Sequence, residues 1–287
     1  MKVTVLEPSG YCSGVERAMK IAIETKENNP SKSVVILGML VHNEDSLKSL
    51  EKRGIKTIYD KNCSLEQLVE KINEPSIVIL TAHGHSKEVE EKLLKNGHQI
   101  VDATCPFVEN SFSDIKKSLL KGFFVFYIGV KNHPESTAAL SLSEKVLLID
   151  VKDQIIPKID FESPLIISQT TLSKFETQDI INKIKNVYPK SIVLNGICNA
   201  STSRQEALMS LKEDFDLIYV VGGLNSNNSK TLFNLAKRLY PNKKVLQIQN
   251  ASEINKKDLL GLSHIVISSG ASTPKDVIEQ IKNKLLN

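Results

Sequence analysis

Tryptophan is absent from the chain, and phenylalanine and tyrosine are sparse, so aromatic residues make up only 5% of the sequence. The excess of positive charge is small, +4, and is carried by scattered lysines rather than a basic block. A nucleic-acid surface more often shows a basic stripe interleaved with stacking aromatics, so nucleic acid is not an expected partner. Long apolar runs are missing too. No stretch approaches the ~20 apolar residues of a membrane-spanning helix, and the opening MKVTVLEPSG has the pattern of a first strand, not a signal peptide. No membrane partner is expected, and a cytoplasmic location is. In that compartment four cysteines far apart in sequence are not expected to form disulfides. No GxxxxGKS/T occurs, which excludes the P-loop mode of phosphate binding, and no CxxxCxxC, which disfavours a radical S-adenosylmethionine enzyme.

What remains is a composition of 41% hydrophobic and 24% charged residues over 287 positions, ordinary for a globular chain and long enough to bury ample core. The four cysteines are Cys12, Cys63, Cys105 and Cys198. With Cys63 set aside, Cys105 stands 93 positions after Cys12, and Cys198 stands 93 positions after Cys105. Each of the three follows a strand-like run (VTVL, HQIVDAT, SIVLNGI) and precedes a helical pattern. After Cys12 that pattern runs through Val15, Ala18, Met19, Ala22 and Ile23; after Cys105 through Val108, Phe112, Ile115 and Leu119; after Cys198 through Ala207, Leu208 and Leu211.

The period extends beyond the thiols. A second strand in each repeat ends in glycine and polar groups (VVILGMLVHN, FFVFYIGVKNHPES, LIYVVGGLNSNNS). A third ends in small hydroxyl or glycine residues (IVILTAHGHS, PLIISQTTLS, HIVISSGAST). Short β-rich runs alternating with helical patterns indicate βαβ units and parallel sheets. The fold expected is α/β: three pseudo-threefold-related units with small, mainly parallel sheets, spanning 14–104, 105–197, and 198–287 together with 1–13. Ligands of open α/β sheets bind beyond the carboxyl ends of the strands, so inward-facing units would bring these motifs to one central cavity.

A single free cysteine is ordinarily a small buried apolar residue, and Cys63 in DKNCSLEQ keeps that reading. Three at equal spacing and equivalent positions point instead to a metal centre. Zinc would need a fourth protein ligand, commonly histidine, whereas three cysteines on a [4Fe–4S] cluster leave one iron open to substrate. Glycines at 10 and 14 and the helix N-termini favour thiolates and close backbone approach. His42, His83 and His133 follow strand ends and read as binding groups, while His85, His98 and His264 lack that setting. Glu135 is the one carboxylate of the strand-end motifs, suited either to proton delivery or to the first turn of a helix. Thr170, Thr171, Ser226, Asn228 and Ser272 are neutral hydrogen-bonding groups that, with the histidines, can wrap an anion.

Nine motifs, GYCSGVERA, VHN, TAHG, DATCP, HPE, SQTTLS, ICNASTSRQEA, NSNNS and SGAST, occur in an order that resembles the 4-hydroxy-3-methylbut-2-enyl diphosphate reductase family, also called IspH or LytB. The resemblance runs from Cys12 to Ser272. It implies an oxygen-sensitive enzyme of the non-mevalonate isoprenoid pathway, with its three α/β parts around a central [4Fe–4S] cluster. Ligands Cys12, Cys105 and Cys198 would leave one iron open. It further implies diphosphate binding by His42, His83, His133, Ser226, Asn228 and Ser272, proton delivery by Glu135, and a hydroxyl near the substrate alcohol at Thr170, with His133 counted beside Glu135 and Thr170 among the catalytic residues. An external donor such as ferredoxin or flavodoxin would supply electrons. The chain departs from the family pattern at Ser201, where threonine is usual, at HPEST, and at Asn227, a substrate-binding position where serine is usual. Rival readings are an aconitase-like hydro-lyase, which needs no reductant, and an iron–sulfur redox sensor, which needs no organised anion pocket.

Overall fold

The computed structural model describes Met1–Asn287 apart from His42, Glu213 and the side chain of Glu44. In chain order the elements are β1 (Lys2–Val5), α1 (Ser13–Glu27), β2 (Val34–Leu37), α2 (Glu44–Lys52), β3 (Ile55–Ile58), α3 (Leu65–Val69), β4 (Ile77–Leu80) and α4 (Lys87–Lys95). There follow β5 (Gln99–Asp102), α5 (Pro106–Leu120), β6 (Val125–Gly129), α6 (Pro134–Leu140), β7 (Val146–Asp150), β8 (Leu165–Ser168), α7 (Lys174–Val187) and β9 (Ile192–Val193). The last are α8 (Asn199–Met209), β10 (Leu217–Val221), α9 (Asn227–Leu239), β11 (Lys244–Ile248), β12 (His264–Ser269) and α10 (Lys275–Leu286).

The strands form three four-stranded sheets, ordered β3-β2-β4-β5, β7-β6-β8-β9 and β11-β10-β12-β1. Every pairing is parallel. All three follow one scheme: the first strand of each repeat lies inside, the second outside it, the third on its other flank and the fourth at the far edge. In one sheet that fourth strand is β1, from the opposite end of the chain, which pairs with β12 from Lys2↔His264 to Val5↔Ile267.

Burial follows this order. The inner strands VVIL, IVIL, VFYIG, LIIS, LIYVV and HIVISS are buried at every residue, whereas each edge strand has exposed or half-buried positions. A parallel strand covered on both faces cannot alternate polar and apolar residues, which is why these runs are continuously hydrophobic. Their side chains divide by parity. Ile36 and Ile79 pack with Ala18 and Ala22 of α1 on one face, while Val35, Leu37, Val78 and Leu80 pack with Leu68, Val89 and Leu93 on the other. In the next sheet Val125, Tyr127, Leu165 and Ile167 face Val108, Phe112 and Ile115 of α5; Phe126, Ile128 and Ile166 face Ile180 and Ile184 of α7. Each fully buried isoleucine or leucine contributes about 1.5–3 kcal/mol relative to exposure, so these inner strands carry much of the cohesion.

By compactness the chain divides into two units. One comprises Met1–Val15, Val41–Leu47 and Cys198–Asn287, and holds the β1-containing sheet; the other comprises Glu16–Leu40 and Lys48–Ile197, and holds the other two. Two local expectations are shortened. The run SIVLNGI yields only the two exposed residues of β9, an edge strand that registers with Leu165 and Ile166 alone. The helix after Cys198 stops at Met209, before Leu211, where Ser210 turns its hydroxyl onto the Glu206 carbonyl at 2.8 Å. Gly196, just after β9, lies against the end of β8: a β-carbon there would stand 2.2 Å from the Ser168 carbonyl oxygen and 2.6 Å from its nitrogen. Backbone cannot yield as a side-chain tip can. Gly196→Ala is therefore expected to cost about 1–3 kcal/mol of unfolding free energy in urea titration, the usual range for overpacking.

Candidate active site

In each sheet the connections from the first and third strands leave in opposite directions, which opens a crevice beyond their carboxyl ends. The polar motifs all follow these two strands. TAHGHS follows β4, NHPES and SQTT follow β6 and β8, and NSNNS and SGAST follow β10 and β12. The three spaced cysteines follow the far-edge strands β5, β9 and β1 and precede α5, α8 and α1.

Glu135 illustrates how the backbone places a group. After β6 the chain turns through Asn132, whose φ of 63° lies in the left-handed region that asparagine tolerates. His133 then caps α6, its Nδ1 accepting the Glu135 N–H at 3.2 Å, and Pro134 occupies the first helical position. The Glu135 side chain is thereby turned inward and is 1% exposed. The Thr170 N–H donates to its Oε1 at 2.8 Å, the Thr170 hydroxyl to Oε2 at 2.9 Å, and the Tyr127 hydroxyl to Oε1 at 3.1 Å. Burial pushes the carboxyl up to about 7, and these donors only partly offset it. The Tyr127 phenol is raised well above its ordinary 10, first by burial and then by the Glu135 charge, so it stays a donor.

Around this carboxyl the strand-end groups lock together. Gln169, fully buried, accepts from Val130 N–H at 3.0 Å and Ser136 Oγ at 3.3 Å, and donates to Thr171 Oγ1 at 3.0 Å. The His83 and His133 rings meet edge to face with centroids 5.6 Å apart, and Thr81 Oγ1 lies 3.2 Å from His83 Nδ1. His42 lies outside the described residues. Its neighbour Asn43 is buried and caps α2, accepting from the Ser46 N–H and hydroxyl at 3.0 and 2.8 Å.

In the unit holding β10 and β12, Ser226 caps α9, its Oγ accepting the Ser229 N–H at 3.3 Å. Asn227, half-buried, is the first helical residue. Asn228 joins three segments: its Oδ1 accepts the Ala271 N–H at 2.9 Å, and its Nδ2 donates to Ser201 Oγ at 3.1 Å. Ser201 Oγ in turn lies 3.2 Å from Cys198 Sγ, which accepts the Ser201 N–H at 3.4 Å. The serine at this position thus supplies the hydroxyl that links thiol to amide. Ser272 is buried in the loop after β12, beside Ala271. The Cys12 N–H donates to the Ala271 carbonyl at 2.9 Å.

Arg204 is 3% exposed. It donates from Nη2 to the Gly10 carbonyl at 2.7 Å and from Nη1 to the Ala200 carbonyl at 3.0 Å. Burial pushes the guanidinium down, and the nearby Cys12 and Cys198 sulfurs pull it back up. The Arg204 charge feels both sulfurs, each at a helix N-terminus, and cysteine sulfurs are ligands of the soft kind that iron–sulfur clusters take. All four cysteines are half-buried and outside disulfides, but Cys63 packs against the apolar core under α3. Among the described residues no group of three His, Cys, Asp or Glu side chains is gathered at metal-binding spacing. Cys12 and Cys198 lie in one compact unit and Cys105 in the other. The donor chemistry fits an iron–sulfur cluster.

The remaining histidines are occupied structurally. His264 bonds the Asp214 carbonyl at 2.7 Å and Thr4 at 2.8 Å, His98 accepts from Ser76 N–H at 3.2 Å, and His85 pairs with Glu90 at 2.6 Å. Tyr127, Gln169 and Arg204 escaped the sequence reading. Tyr127 looks like one more apolar residue of a buried strand. On α8 the buried stripe is Ser201, Arg204, Gln205 and Leu208, helical spacing written mostly in polar residues, which an apolar template passes over.

The family model for LytB protein matches residues 3–286. The chain belongs to the LytB family. This LytB-family chain is 34% identical over 285 residues to the 4-hydroxy-3-methylbut-2-enyl diphosphate reductase of Malacoplasma penetrans, covering 96% of the chain and 93% of that protein. It is 31% identical over 287 residues to the reductase of the same name from Aquifex aeolicus, covering 99% and 95%. Among solved structures it resembles the Plasmodium falciparum E-1-hydroxy-2-methyl-but-2-enyl-4-diphosphate reductase, with a TM-score of 0.89 at 27% identity over 100% of this chain and 88% of that one. It also resembles a structure described as (E)-4-hydroxy-3-methyl-but-2-enyl diphosphate reductase, the terminal enzyme of the non-mevalonate pathway. There the TM-score is 0.69 at 31% identity, over 100% of this chain and 99% of that one. The resemblance in the motifs and the expected three-sheet α/β fold therefore both hold.

The elevated Glu135 carboxyl has a thermodynamic consequence. An unfolded chain releases this proton near 4.5 and the folded one near 7. Between those values the folded state binds more proton, so stability from this group is full below about 4.5, falls as pH rises, and levels off above 7. The unfolding free energy of the parent relative to Glu135→Gln should decline by about 3 kcal/mol across that window. A difference that stays flat from pH 4 to 8 would show a carboxyl titrating as in water.

Proposed function

We propose that this chain reductively removes the allylic hydroxyl of 4-hydroxy-3-methylbut-2-enyl diphosphate, yielding isopentenyl and dimethylallyl diphosphates and water, as the last step of the non-mevalonate pathway. The balance is two electrons and two protons in, one C–O bond broken, and one water out. The observation that carries the reading is Glu135: a fully buried carboxyl whose proton is held to about neutral pH and bonded to a threonine hydroxyl. A general acid works best with its proton affinity near the working pH.

Membership of the family supports a [4Fe–4S] cluster on Cys12, Cys105 and Cys198, which when bound supplies electrons and an open iron able to act as a Lewis acid. The chain's own residues do the rest. Thr170, fixed through its N–H and hydroxyl on Glu135, hands a proton to the leaving oxygen. His42, His83, His133, Ser226, Asn227, Asn228 and Ser272 take the diphosphate, and Asn228 has a second Nδ2 hydrogen beyond the one given to Ser201. Amides at the start of α9 suit an anion further. Binding energy at the diphosphate, remote from the reacting carbon, orients it. Segments 14–104, 105–197 and 198–287 with 1–13 are the three repeats in this reading. The bacterial relatives support a cytoplasmic location, with an external electron donor such as ferredoxin or flavodoxin. Among the described residues no helix is long and apolar enough to cross a membrane.

Two measurements test this. Anaerobically purified protein should carry about four irons per chain. Cys12→Ser, Cys105→Ser and Cys198→Ser should each lose that iron while Cys63→Ser keeps it; zinc in place of iron after anaerobic reconstitution would overturn the cofactor. Glu135→Gln keeps shape and hydrogen bonding without the acid, so iron content and diphosphate affinity should persist while reductant-dependent turnover falls about 10²–10⁴-fold. Turnover within a few-fold of the parent would reduce Glu135 to a helix-terminus charge, and conversion without any reductant would favour a hydro-lyase.

A further inference from the structure

We infer that Tyr127 is a positioning residue for the acid proton: with the Thr170 amide it occupies Glu135 Oε1 and so confines the proton to Oε2, the oxygen that faces the Thr170 hydroxyl. This rests on the reading of Glu135 as the proton donor. Tyr127 lies in the middle of β6, fully buried, its ring in the apolar cluster with Val108, Phe112 and Ile115 and its hydroxyl 3.1 Å from Oε1. The Thr170 N–H reaches the same oxygen at 2.8 Å. A carboxyl oxygen has two lone-pair sites. Two donors that cannot reverse, an amide and a phenol held protonated, fill both sites on Oε1. Among the described residues the hydrogen bond of Oε2 is with Thr170 Oγ1, at 2.9 Å, and a hydroxyl can reverse.

The proton path follows from that asymmetry. With Glu135 ionised, the Thr170 hydroxyl donates to Oε2. With Glu135 protonated, Oε2–H donates to Thr170 Oγ1 and the threonine hydrogen is turned outward. On delivery the threonine O–H bond breaks toward the acceptor as the Oε2 proton moves to Oγ1. One proton leaves Glu135, and Thr170 ends as it began. Without the phenol, one lone pair of Oε1 is vacant and the proton divides between two oxygens, one of which leads nowhere. Among the described residues the titratable group that reaches this carboxyl is Tyr127 from β6; His133, the cap of its own helix, accepts the Glu135 N–H, and its ring adjoins that of His83. Among the described residues no lysine or arginine contributes to holding its charge.

A buried tyrosine also needs a partner for its hydroxyl simply to fold, so the test must separate the two roles. The probe is the infrared C=O band of protonated Glu135, identified by its loss in Glu135→Gln and titrated in anaerobic holoprotein without substrate. In Tyr127→Phe the band should persist to a pH about 1–2 units higher, since a donor to the charged form is gone. In parallel kcat at the acid plateau should fall ~2- to 10-fold with KM unchanged. Incorporation of 3-fluorotyrosine at 127, a stronger donor of the same shape, should move the band's titration the opposite way, and does so without emptying the site. A band that titrates as in the parent in both variants overturns the proposal, whatever happens to stability. If the shifts appear but the parent does not consume the diphosphate alcohol, the positioning stands and the assigned reaction fails.

Discussion

Parallel strands can be joined only by crossovers, and here every sheet uses the same order of crossovers, with the first and third strands of the repeat side by side at its centre. The two connections that leave their carboxyl ends must run apart, one toward each edge. The gap between them is the place where backbone amides and strand-end side chains face no neighbouring strand. In the sheet of β6 and β8 the gap is filled by Glu135 and Thr170, and in the sheet of β10 and β12 by Asn228 and the Ala271 amide. The fourth strand, displaced to the edge, ends in each case ahead of a cysteine and a helix N-terminus. One topological rule thus sorts the polar strand-end motifs from the thiols in all three sheets.

Within that frame the chemistry depends on a balance of burial against hydrogen bonding. Taking the Glu135 carboxyl out of water penalises its charged form, and three neutral donors restore part of what burial removes. Among the described residues no lysine or arginine adds to this, the restoration stops short of an ordinary carboxylate, and the proton stays to about pH 7. A lysine or arginine in the same place would have held the group ionised and useless as an acid. Arg204 shows the opposite arrangement. Its charge is buried, bonded to two carbonyls, and favoured by the Cys12 and Cys198 sulfurs ahead of the Glu7 carboxylate. A carboxyl that keeps its proton to about pH 7 and a buried cation near two cysteine sulfurs are thus set by opposite surroundings.

The departures from the family pattern become intelligible in these terms. Ser201 retains the hydroxyl that bridges Cys198 and Asn228, and only a methyl is absent. Asn227 starts α9, where its own backbone and that of Asn228 set the helix N-terminus regardless of side chain. In HPEST, Ser136 donates to Gln169, tying α6 to the loop that carries Thr170.

Much of this was legible in the amino-acid order. Continuous apolar runs such as VVIL and LIYVV announce strands covered on both faces, and the equal spacing of Cys12, Cys105 and Cys198 announces a threefold repeat. Motifs at strand ends name Glu135, Thr170 and Asn228, because side chains at those positions follow directly from where a strand stops. The pairing of β1 with β12, by contrast, joins residues from opposite ends of the chain, and no local pattern encodes it. Nor does any pattern mark Tyr127 as more than core, since its role depends on a hydroxyl at the end of a buried ring meeting a helix that begins seven residues later. Arg204 was hidden for a similar reason: a polar stripe is buried only if other segments bring carbonyls and sulfurs to it. Local sequence determines what each element is and which groups stand at its ends. Only the tertiary structure decides which of those groups are desolvated together, and desolvation is what turns a glutamate into an acid at neutral pH.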